Sequence, residues 1–321
     1  MTAIEARGIH FSYGSRKALA DVAFTVERGA MHGFLGPNGS GKSTLFKILA
    51  TILPLQQGEV RLLDLDLRTQ VAAVRQRIGV VFQSPALDQK LTVRQNLVYG
   101  GHLYGLRGRE LRTRIDSLLA QTGITDRQRD RVGDLSGGLK RRVELCKGLL
   151  PSPDVILLDE PTTGLDPGAR KDLWQFLRSQ EELTVLVSTH LIDEAELLDQ
   201  ITILDLGAVV AAGLPRELRE SLGGEVLQID CDEPSPLGKE IQERFGTEPL
   251  VLDRSLRLQA KDAHRLVGDL VDAFGDRIRR VSLSHPSLED VYIQKTGHRF
   301  WKDGAAACPG AAAARPPAWR R

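Results

Sequence analysis

The chain contains the segment Gly36-Pro37-Asn38-Gly39-Ser40-Gly41-Lys42-Ser43, in which three glycines precede a lysine and a hydroxyl residue. The apolar residues 31–35 before it predict a strand, and residues 42–52 predict a helix. Glycines at this spacing let successive backbone N–H groups point at phosphate oxygens, beside the positive end of the helix dipole. We expect Lys42 to reach the β- and γ-phosphates of a nucleotide and Ser43 to bind Mg²⁺. The segment therefore predicts a nucleotide site at a strand–helix junction.

The composition limits the kind of protein that carries this segment. The 321 residues are 41% hydrophobic and 26% charged, which is typical of a soluble globular protein with room for two domains. A net charge of +1 gives no electrostatic reason to expect nucleic acid or an anionic membrane surface as a partner. The three cysteines, Cys146, Cys231 and Cys308, lack the spacing of metal ligands, and their odd number argues against a disulfide framework.

The sequence predicts no membrane-spanning segment. Residues 1–7 lack the basic and apolar regions of a signal peptide. The longest apolar stretch, residues 201–214, is interrupted by Asp205 and by glycines and is too short to span a bilayer. We therefore expect any action at a membrane to occur from its cytoplasmic side, through another chain.

Strand-like and helix-like segments alternate through residues 1–223, which predicts an α/β domain with a largely parallel sheet. Residues 3–13 and 17–28 alternate apolar and polar side chains and predict an antiparallel sheet at its edge. Residues 84–150 lack β-branched runs and predict a helical insertion. The other predicted strands are 30–35, 59–63, 78–82, 155–159, 184–189, 201–205 and 208–212, and the predicted helices are 42–52, 167–179 and 191–198.

A second, smaller α+β domain is predicted over residues 224–299. Strands at 225–230, 249–253, 256–260 and 278–283, with helices at 236–245 and 262–274, give the order β-α-β-β-α-β of the ferredoxin-like arrangement. Ser287 precedes Asp290 by three residues and predicts the capping box of a last helix. Residues 300–321, rich in Ala, Pro and Arg from Gly304 onward, predict a disordered tail.

Two acidic residues, Asp159 and Glu160, follow the apolar run 155–158. Ligands bind at the carboxyl ends of strands in open α/β sheets, so these side chains are expected near the glycine-rich segment. Asp159 is suited to hold Mg²⁺, directly or through water, and Glu160 to polarise a water against the γ-phosphate. Taken alone, such a pair also fits a solvated acidic turn, but the glycine-rich segment in the same chain argues against that alternative.

Two further polar residues end predicted core strands. His190 follows residues 184–189, where a neutral imidazole can hydrogen-bond the γ-phosphate or the attacking water. Gln83 follows residues 78–82, where a carboxamide can bridge Mg²⁺, water and a loop. The alternatives are a bystander histidine and an ordinary polar strand end.

The segment Leu135-Ser136-Gly137-Gly138-Leu139 predicts a second anion site. Ser136 is expected to cap a helix whose first backbone N–H groups the two glycines leave open. Since Ser-Gly-Gly turns are common, the segment is not specific by itself. The positions expected to face the core of the helical insertion, at helical spacing, are Leu139, Val143, Cys146 and Leu150.

Together these segments resemble the ATPase subunit of ATP-binding cassette (ABC) transporters over residues 3–222. Tyr13 resembles the aromatic residue that stacks on adenine in this family, although a core strand aromatic is an equal interpretation of Tyr13 from the sequence alone. In the family's order, the matching motifs are the Walker A loop (36–44, ending at Thr44), the Q-loop glutamine (Gln83), the signature (135–139), the Walker B aspartate and catalytic glutamate (Asp159 and Glu160), the D-loop (Gly164-Leu165-Asp166) and the switch histidine (His190).

The resemblance implies a P-loop ABC cassette that uses ATP and Mg²⁺, with Ser43, Gln83 and Asp159 at the metal. It implies a head-to-tail homodimer in which ATP lies between residues 36–44 of one copy and the signature of the other, next to Asp166. It also implies separately encoded integral-membrane permease subunits and a location at the cytoplasmic face of the membrane. Leu139 stands where glutamine is usual; since the phosphate contacts come from the serine and the glycine backbone, function is expected to survive.

Two stretches resemble one branch of the family. Residues 139–145 and 286–297 are similar to ATPases of the daunorubicin/doxorubicin-resistance type of exporter. The expected function is therefore ATP-driven efflux of a hydrophobic small molecule. An importer ATPase, or the ATPase of an exporter with lipid or polysaccharide cargo, stays open as the alternative.

Overall fold

The computed structural model describes residues 1–252, 254–260 and 263–300. The strands are β1 (Thr2–Tyr13), β2 (Arg16–Glu27), β3 (Met31–Leu35), β4 (Gln57–Leu62), β5 (Leu65–Asp66), β6 (Ile78–Val81), β7 (Val155–Asp159), β8 (Thr184–Thr189), β9 (Gln200–Asp205), β10 (Ala208–Gly213), β11 (Glu225–Cys231), β12 (Leu250–Leu252), β13 (Ser255–Ala260) and β14 (Ile278–Ser284). The α-helices are α1 (Lys42–Leu49), α2 (Val71–Arg77), α3 (Val93–Leu103), α4 (Gly108–Gln121), α5 (Gly137–Leu149), α6 (Pro167–Arg178), α7 (Ile192–Ala195), α8 (Pro215–Glu220), α9 (Pro234–Phe245), α10 (Ala263–Phe274) and α11 (Leu288–Thr296).

The central sheet has the order β10-β9-β3-β8-β7-β6 and is parallel except for β10, which pairs antiparallel with β9. Its inner strands are buried on both faces. Val155 and Leu157 join one hydrophobic core, and Ile156 and Leu158 join the other, as continuous apolar strands do when helices or a second sheet cover both sides. The predicted α/β class with a largely parallel sheet is confirmed.

The antiparallel sheet β2-β1-β4-β5 covers one side of this core, as predicted for residues 3–13 and 17–28. Edge-to-face contacts of Phe34 with Phe24 and Phe46 fill the space between this sheet, β3 and α1. The predicted helix 42–52 ends early, because Thr51 adopts a left-handed backbone with φ 58°. The predicted helix 191–198 forms a single turn, α7.

The helical insertion lies between β6 and β7 and is built from α3, α4 and α5, as predicted. Val143, Cys146 and Leu150 pack in its core, and Leu139 contacts that core from a half-buried position. Thr92 and Gln95 form a capping box that starts α3. The sequence pattern missed α2 and α8, which are short and bury one residue each, so neither shows an apolar stripe.

The C-terminal sheet has the order β12-β13-β11-β14 and is antiparallel throughout. Together with the element order β-α-β-β-α-β this is the ferredoxin-like arrangement that was predicted. One face of the sheet packs on α9 and α10 through residues such as Leu227, Ile241 and Leu270. Cys231 lies in this core and Cys146 in that of the insertion, and both are free thiols.

Helix α11 packs between the C-terminal sheet and the ATPase core, and Arg257 of β13 pairs with Asp290 at 3.2 Å. Its capping box, Ser287 with Asp290, is confirmed, but Val291 and Tyr292 pack into the core that covers one face of the central sheet. Phe300 is buried in the same core with 2% of its surface exposed, so the prediction of a disordered tail is wrong at this residue. Residues 301–321 of the predicted tail, including Cys308, lie outside the described residues, as do Asp253 of a predicted strand and residue 262 of a predicted helix. The domain boundary at 223 stays a prediction.

Candidate active site

The glycine-rich segment connects β3 to α1. The Gly36 N–H donates to Thr189 O at 3.3 Å. A Cβ on Gly36 would lie 2.3 Å from Leu204 O, and one on Gly41, whose φ is 102°, would lie 2.7 Å from Ala18 O. Both positions therefore require glycine, because the loop is pressed against neighbouring backbone on both sides.

Lys42 is the first residue of α1 and is buried. Its Nζ donates to Gly36 O at 2.7 Å and to Pro37 O at 3.0 Å, which holds the ammonium inside the loop. Burial lowers the pKa of the Lys42 ammonium below its usual value, and the carboxylates of Glu160 and Asp159 oppose that shift. The loop thus presents a fixed cation together with its backbone N–H groups.

A cleft of about 390 Å³ opens over the loop. Tyr13 stands on its rim, with 46% of its surface exposed and its ring edge-to-face with Phe11 at 4.9 Å. The sequence left open whether Tyr13 is a core aromatic, and the structure places it at the cleft. The residues that line the cleft are Tyr13, Arg16, Lys17, Ala18, Asn38, Gly39, Gly41, Lys42, Ser43, Thr44, Glu160 and Leu206.

Asp159 is buried at the carboxyl end of β7. Its Oδ1 lies 3.4 Å from Ser43 Oγ and also accepts a short hydrogen bond from Ser188 Oγ. Asp159 and Ser188 face each other in the parallel pairing of β7 with β8. Sequence reasoning missed Ser188, because only the strand order shows that these two residues are neighbours.

Glu160 follows Asp159 in a left-handed backbone conformation with φ 47°, which is unfavourable for a non-glycine residue and is common at functional sites. Its N–H donates to Ser188 O at 3.1 Å. The Glu160 carboxylate contacts two other predicted site residues. Gln83 Nε2 donates to Oε2 at 2.8 Å, and His190 Nδ1 lies 3.2 Å from Oε1. The structure therefore brings Gln83, Glu160 and His190 together.

The signature segment forms a separate patch. Ser136 caps α5 by accepting from the Leu139 N–H at 3.4 Å, as predicted, and Ser136 and Gly137 are exposed. A Cβ on Gly137 would lie 3.7 Å from Gly164 O, so the patch adjoins the loop in which Asp166 caps α6. Ser136, Gly137, Gly138 and Asp166 are absent from the lining of the cleft within one chain.

Arg141 is a buried residue of α5 that connects this helix to the backbone near Gln83 and Glu160. This role was not identified from the sequence. Arg141 donates to Phe82 O and Pro161 O, each at 2.7 Å, and pairs with the buried Glu144 at 2.9 Å. Glu144 in turn accepts from the Ala86 N–H at 2.8 Å. The helix that starts at the signature is thereby tied to the backbone on either side of Gln83 and next to Glu160.

Replacing Arg141 by methionine is expected to lower the free energy of unfolding by about 3 kcal/mol or more, because it leaves the buried Glu144 carboxylate without its cationic partner. Urea unfolding measures this loss. The neighbouring Arg142→Met is the matched control. It removes a partly exposed pair with Asp172 and a hydrogen bond to Thr122 O, and it is expected to cost about 1 kcal/mol. Equal losses for the two variants would contradict a special structural role of Arg141.

The fold and the site define a P-loop ATPase domain: a glycine loop between a strand and a helix, with two acids at the end of a neighbouring strand. Residues 19–163 match the family model described as ABC transporter. The chain is 36% identical over 308 residues to daunorubicin resistance ATP-binding protein DrrA2 of Streptomyces coeruleorubidus, covering 92% of this chain and 96% of that protein. It is 36% identical over 304 residues to Nod factor export ATP-binding protein I of Rhizobium johnstonii, with 94% and 96% covered.

Solved structures of ATP-binding proteins from ABC transporters are also similar to this chain. The chain is similar to cbiO1 of Clostridium perfringens, part of an ABC transporter complex, with a TM-score of 0.63 and 27% identity over 76% of this chain and 96% of that one. It is also similar to the ATP-binding cassette MJ0796 in a dimeric post-hydrolysis state bound to ADP and phosphate, with a TM-score of 0.60 and 26% identity over 66% and 98% of the two chains.

The chain belongs to the ATP-binding proteins of ABC transporters. The resemblance seen in its motifs is confirmed, and the protein is an ATPase, the ATP-binding subunit of a transporter. Within the described ranges, none of the helices combines the length and the apolar character needed to cross a membrane.

Proposed function

We propose that this ATPase drives export of a hydrophobic small molecule through separate membrane subunits. The convergence of Gln83 and His190 on Glu160, beside the glycine loop, is the observation that carries the ATPase half of the proposal. The export half is supported by relatives that align over more than nine-tenths of the chain and are named for daunorubicin resistance and Nod factor export. Their names agree on export and differ in cargo.

The cleft supports binding of ATP by residues 36–44. The backbone N–H groups of the loop and of the start of α1 would surround the β- and γ-phosphates, with Lys42 adding a positive charge. Arg16 and Lys17, which sequence reasoning did not single out, add positive charge to the lining near Tyr13. Tyr13 is placed on the rim, where its exposed ring would stack on the adenine.

The oxygen atoms beside the loop suit Mg²⁺, which prefers hard oxygen ligands. Ser43 Oγ and Asp159 Oδ1 lie 3.4 Å apart, and the Gln83 carboxamide donates to Glu160, the residue that follows Asp159. We assign Ser43 and Asp159 as the residues that would hold the ion, directly or through water, with Gln83 next to them. When bound, Mg²⁺ neutralises charge on the phosphate oxygens.

Glu160 is the proposed general base. Its carboxylate lines the cleft, and its orientation is fixed by Gln83 and by the Thr163 hydroxyl, which donates to Oε2 at 3.3 Å. Such a carboxylate accepts the proton of a water that attacks the γ-phosphate in line. His190 lies against the other carboxylate oxygen, where its imidazole can hold the attacking water or the γ-phosphate.

The exposed signature supports a shared site. Ser136 and Gly137 offer a capped helix start to the solvent, yet they do not line the cleft of their own chain. In a head-to-tail homodimer the signature of one copy, with Asp166 beside it, would complete the phosphate site of the other. ATP then binds both halves only in the closed dimer and stabilises closure by this difference in affinity.

An exposed apolar patch on the helical insertion supports permease docking at the cytoplasmic face of the membrane. Tyr99 and Leu103 lie one turn apart on α3 and expose 57% and 85% of their surfaces. Arg141 and Glu144 tie the insertion to the backbone around Gln83. A permease helix seated on this patch would therefore sense changes at the nucleotide.

Leu103→Glu is expected to abolish co-purification with the permease while leaving ATP hydrolysis by the isolated subunit unchanged, because it places a charge in the apolar patch. Val271→Glu is the matched control, since Val271 is also an exposed apolar residue on a helix. Loss of the complex in the Val271 variant alone would place the docking surface on the C-terminal domain instead.

Transport direction is tested in inverted membrane vesicles that contain this subunit and its permease. We expect ATP-dependent accumulation of a fluorescent anthracycline, and none with Glu160→Gln. Accumulation of a lipid-linked oligosaccharide without the anthracycline would assign the other export cargo. Dependence of transport on an external binding protein, with movement in the opposite direction, would contradict export.

A further inference from the structure

The C-terminal segment, from α11 to Phe300, makes a polar contact inside the ATPase core. This contact involves none of the residues assigned to the nucleotide site. The Tyr292 hydroxyl of α11 donates to Asp205 Oδ1 at 2.8 Å, and His298 Nε2 lies 3.1 Å from Asp205 Oδ2. Both oxygens of this buried carboxylate are therefore occupied by residues from the far end of the chain. Because such a charge is costly to bury without partners, the contact fixes the position of Asp205.

The Tyr292 ring is held from two further sides. It meets the Phe300 ring edge-to-face at 4.9 Å and the His298 ring at 5.4 Å. Burial, with a smaller contribution from Asp205, raises the pKa of the Tyr292 phenol, so the hydroxyl keeps the proton that it donates. Helix α11 and the segment up to Phe300 thus form one packed unit around the Asp205 carboxylate.

Asp205 ends β9 and begins the tight turn to β10, and this turn contacts the glycine loop directly. The Gly207 N–H donates to Ser40 O at 3.1 Å, and Gly207 O accepts from the Ala20 N–H at 2.8 Å. Leu204 O lies so close to Gly36 that a Cβ there would clash at 2.3 Å. The turn between β9 and β10 therefore packs directly against the phosphate loop and supports it.

One residue of this turn faces the nucleotide cleft. Leu206 is one of the residues that line the cleft, with 82% of its surface exposed and a left-handed backbone, φ 47°. A leucine is kept in this conformation only when its surroundings fix the backbone. The antiparallel pairing of Asp205 with Ala208 closes this two-residue turn. The contacts of Asp205 with Tyr292 and His298, and of Gly207 with Ser40, hold the closed turn in place.

We propose that Tyr292 and His298 are positioning residues of the nucleotide site: through Asp205 they hold the β9–β10 turn, so that Leu206 borders the bound nucleotide and Gly207 supports the phosphate loop. The C-terminal segment thereby sets the affinity of the ATPase core for ATP. This inference rests on the proposed nucleotide site. The segment from α11 to Phe300 contains none of the proposed catalytic residues, and this inference gives it a function.

The test is Tyr292→Phe in the full chain, which removes one hydroxyl and keeps the ring packing. We expect the dissociation constant for ATP, measured by fluorescence titration, to rise about three- to tenfold, less than the full worth of a hydrogen bond to a charged group, because only part of that loss reaches the nucleotide site. The KM for ATP should rise by the same factor, with kcat at saturating ATP changed by less than about twofold, because the reacting groups are untouched. Tyr104→Phe, a change in an exposed tyrosine of the insertion, is the matched control and should leave both constants unchanged.

A double-mutant cycle identifies the route. In the Asp205→Ala background, adding Tyr292→Phe should cause no further loss of ATP affinity if the hydroxyl acts through Asp205. If Asp205→Ala fails to fold, the comparison of Tyr292→Phe with Tyr104→Phe decides alone. A folded Tyr292→Phe that binds ATP as the wild type does, even with a lower melting temperature, would overturn the inference and reduce the contact to structural support.

A different result would show that the proposed nucleotide site itself is wrong. If Lys42→Ala bound ATP as well as the wild type, the proposed nucleotide site itself would be wrong, and the inference would fall with it. If Lys42→Ala lost ATP while Tyr292→Phe did not, only the role of the C-terminal segment would be refuted.

Discussion

Glu160→Gln is expected to lower the rate of ATP hydrolysis by about 10²- to 10⁴-fold, the usual contribution of a positioned general base. The carboxamide cannot take the proton of the attacking water, whereas it keeps an oxygen that accepts from Gln83 and Thr163. The fold and the affinity for ATP should therefore stay near those of the wild type. Steady-state phosphate release and ATP titration measure the two quantities on the same sample.

The control for this variant is Glu182→Gln, which removes an exposed carboxylate from a loop between α6 and β8. It should leave turnover unchanged. Near-normal hydrolysis by Glu160→Gln would remove Glu160 as the base, and loss of ATP binding would instead indicate that the carboxylate shapes the cleft.

Lys42→Ala is expected to raise the dissociation constant for ATP by about 30-fold or more, which corresponds to losing about 2 kcal/mol or more of charge-assisted contacts to phosphate. The loop is otherwise preserved, since Gly36 and Gly41 keep their close backbone contacts. Hydrolysis should fall at every ATP concentration that is readily reached. Fluorescence titration with ATP, without and with Mg²⁺, measures the change.

Lys47→Ala is the matched control, because Lys47 is an exposed lysine in the last turn of the same helix. It tests whether loss of helix charge alone weakens binding. An unchanged affinity in Lys42→Ala, or an equal loss in Lys47→Ala, would count against the role assigned to Lys42.

The sequence predicted the parts of this site that depend on local patterns. The glycine loop, the apolar strand before Asp159 and the cap at Ser136 each act within a few residues, so their spacing alone carries the signal. Placing Asp159, Gln83 and His190 at strand ends was enough to expect them at one edge of a parallel sheet. The ferredoxin-like order followed from alternating patterns in the same way.

The residues whose roles the sequence did not reveal make contacts between strands or helices that are far apart along the chain. Ser188 meets Asp159 only because β7 and β8 are neighbours in register. Arg141 appears as one of two adjacent arginines, and only packing shows that it is buried while Arg142 is partly exposed. The docking of α11 on the ATPase core was equally invisible, because a short apolar stripe does not say which surface it covers.

The central claim is that two copies of the chain form each ATP site, and the mass of the Glu160→Gln variant in solution tests it most directly. Light scattering during size-exclusion chromatography should show a monomer without nucleotide and a dimer with ATP, since closure is favoured by ATP and hydrolysis no longer reopens the pair. Adding Ser136→Glu, which places a negative charge at the exposed signature, should leave ATP bound to a monomer. A dimer that forms equally well with Ser136→Glu, or full ATP turnover by a wild-type chain that stays strictly monomeric, would contradict the account.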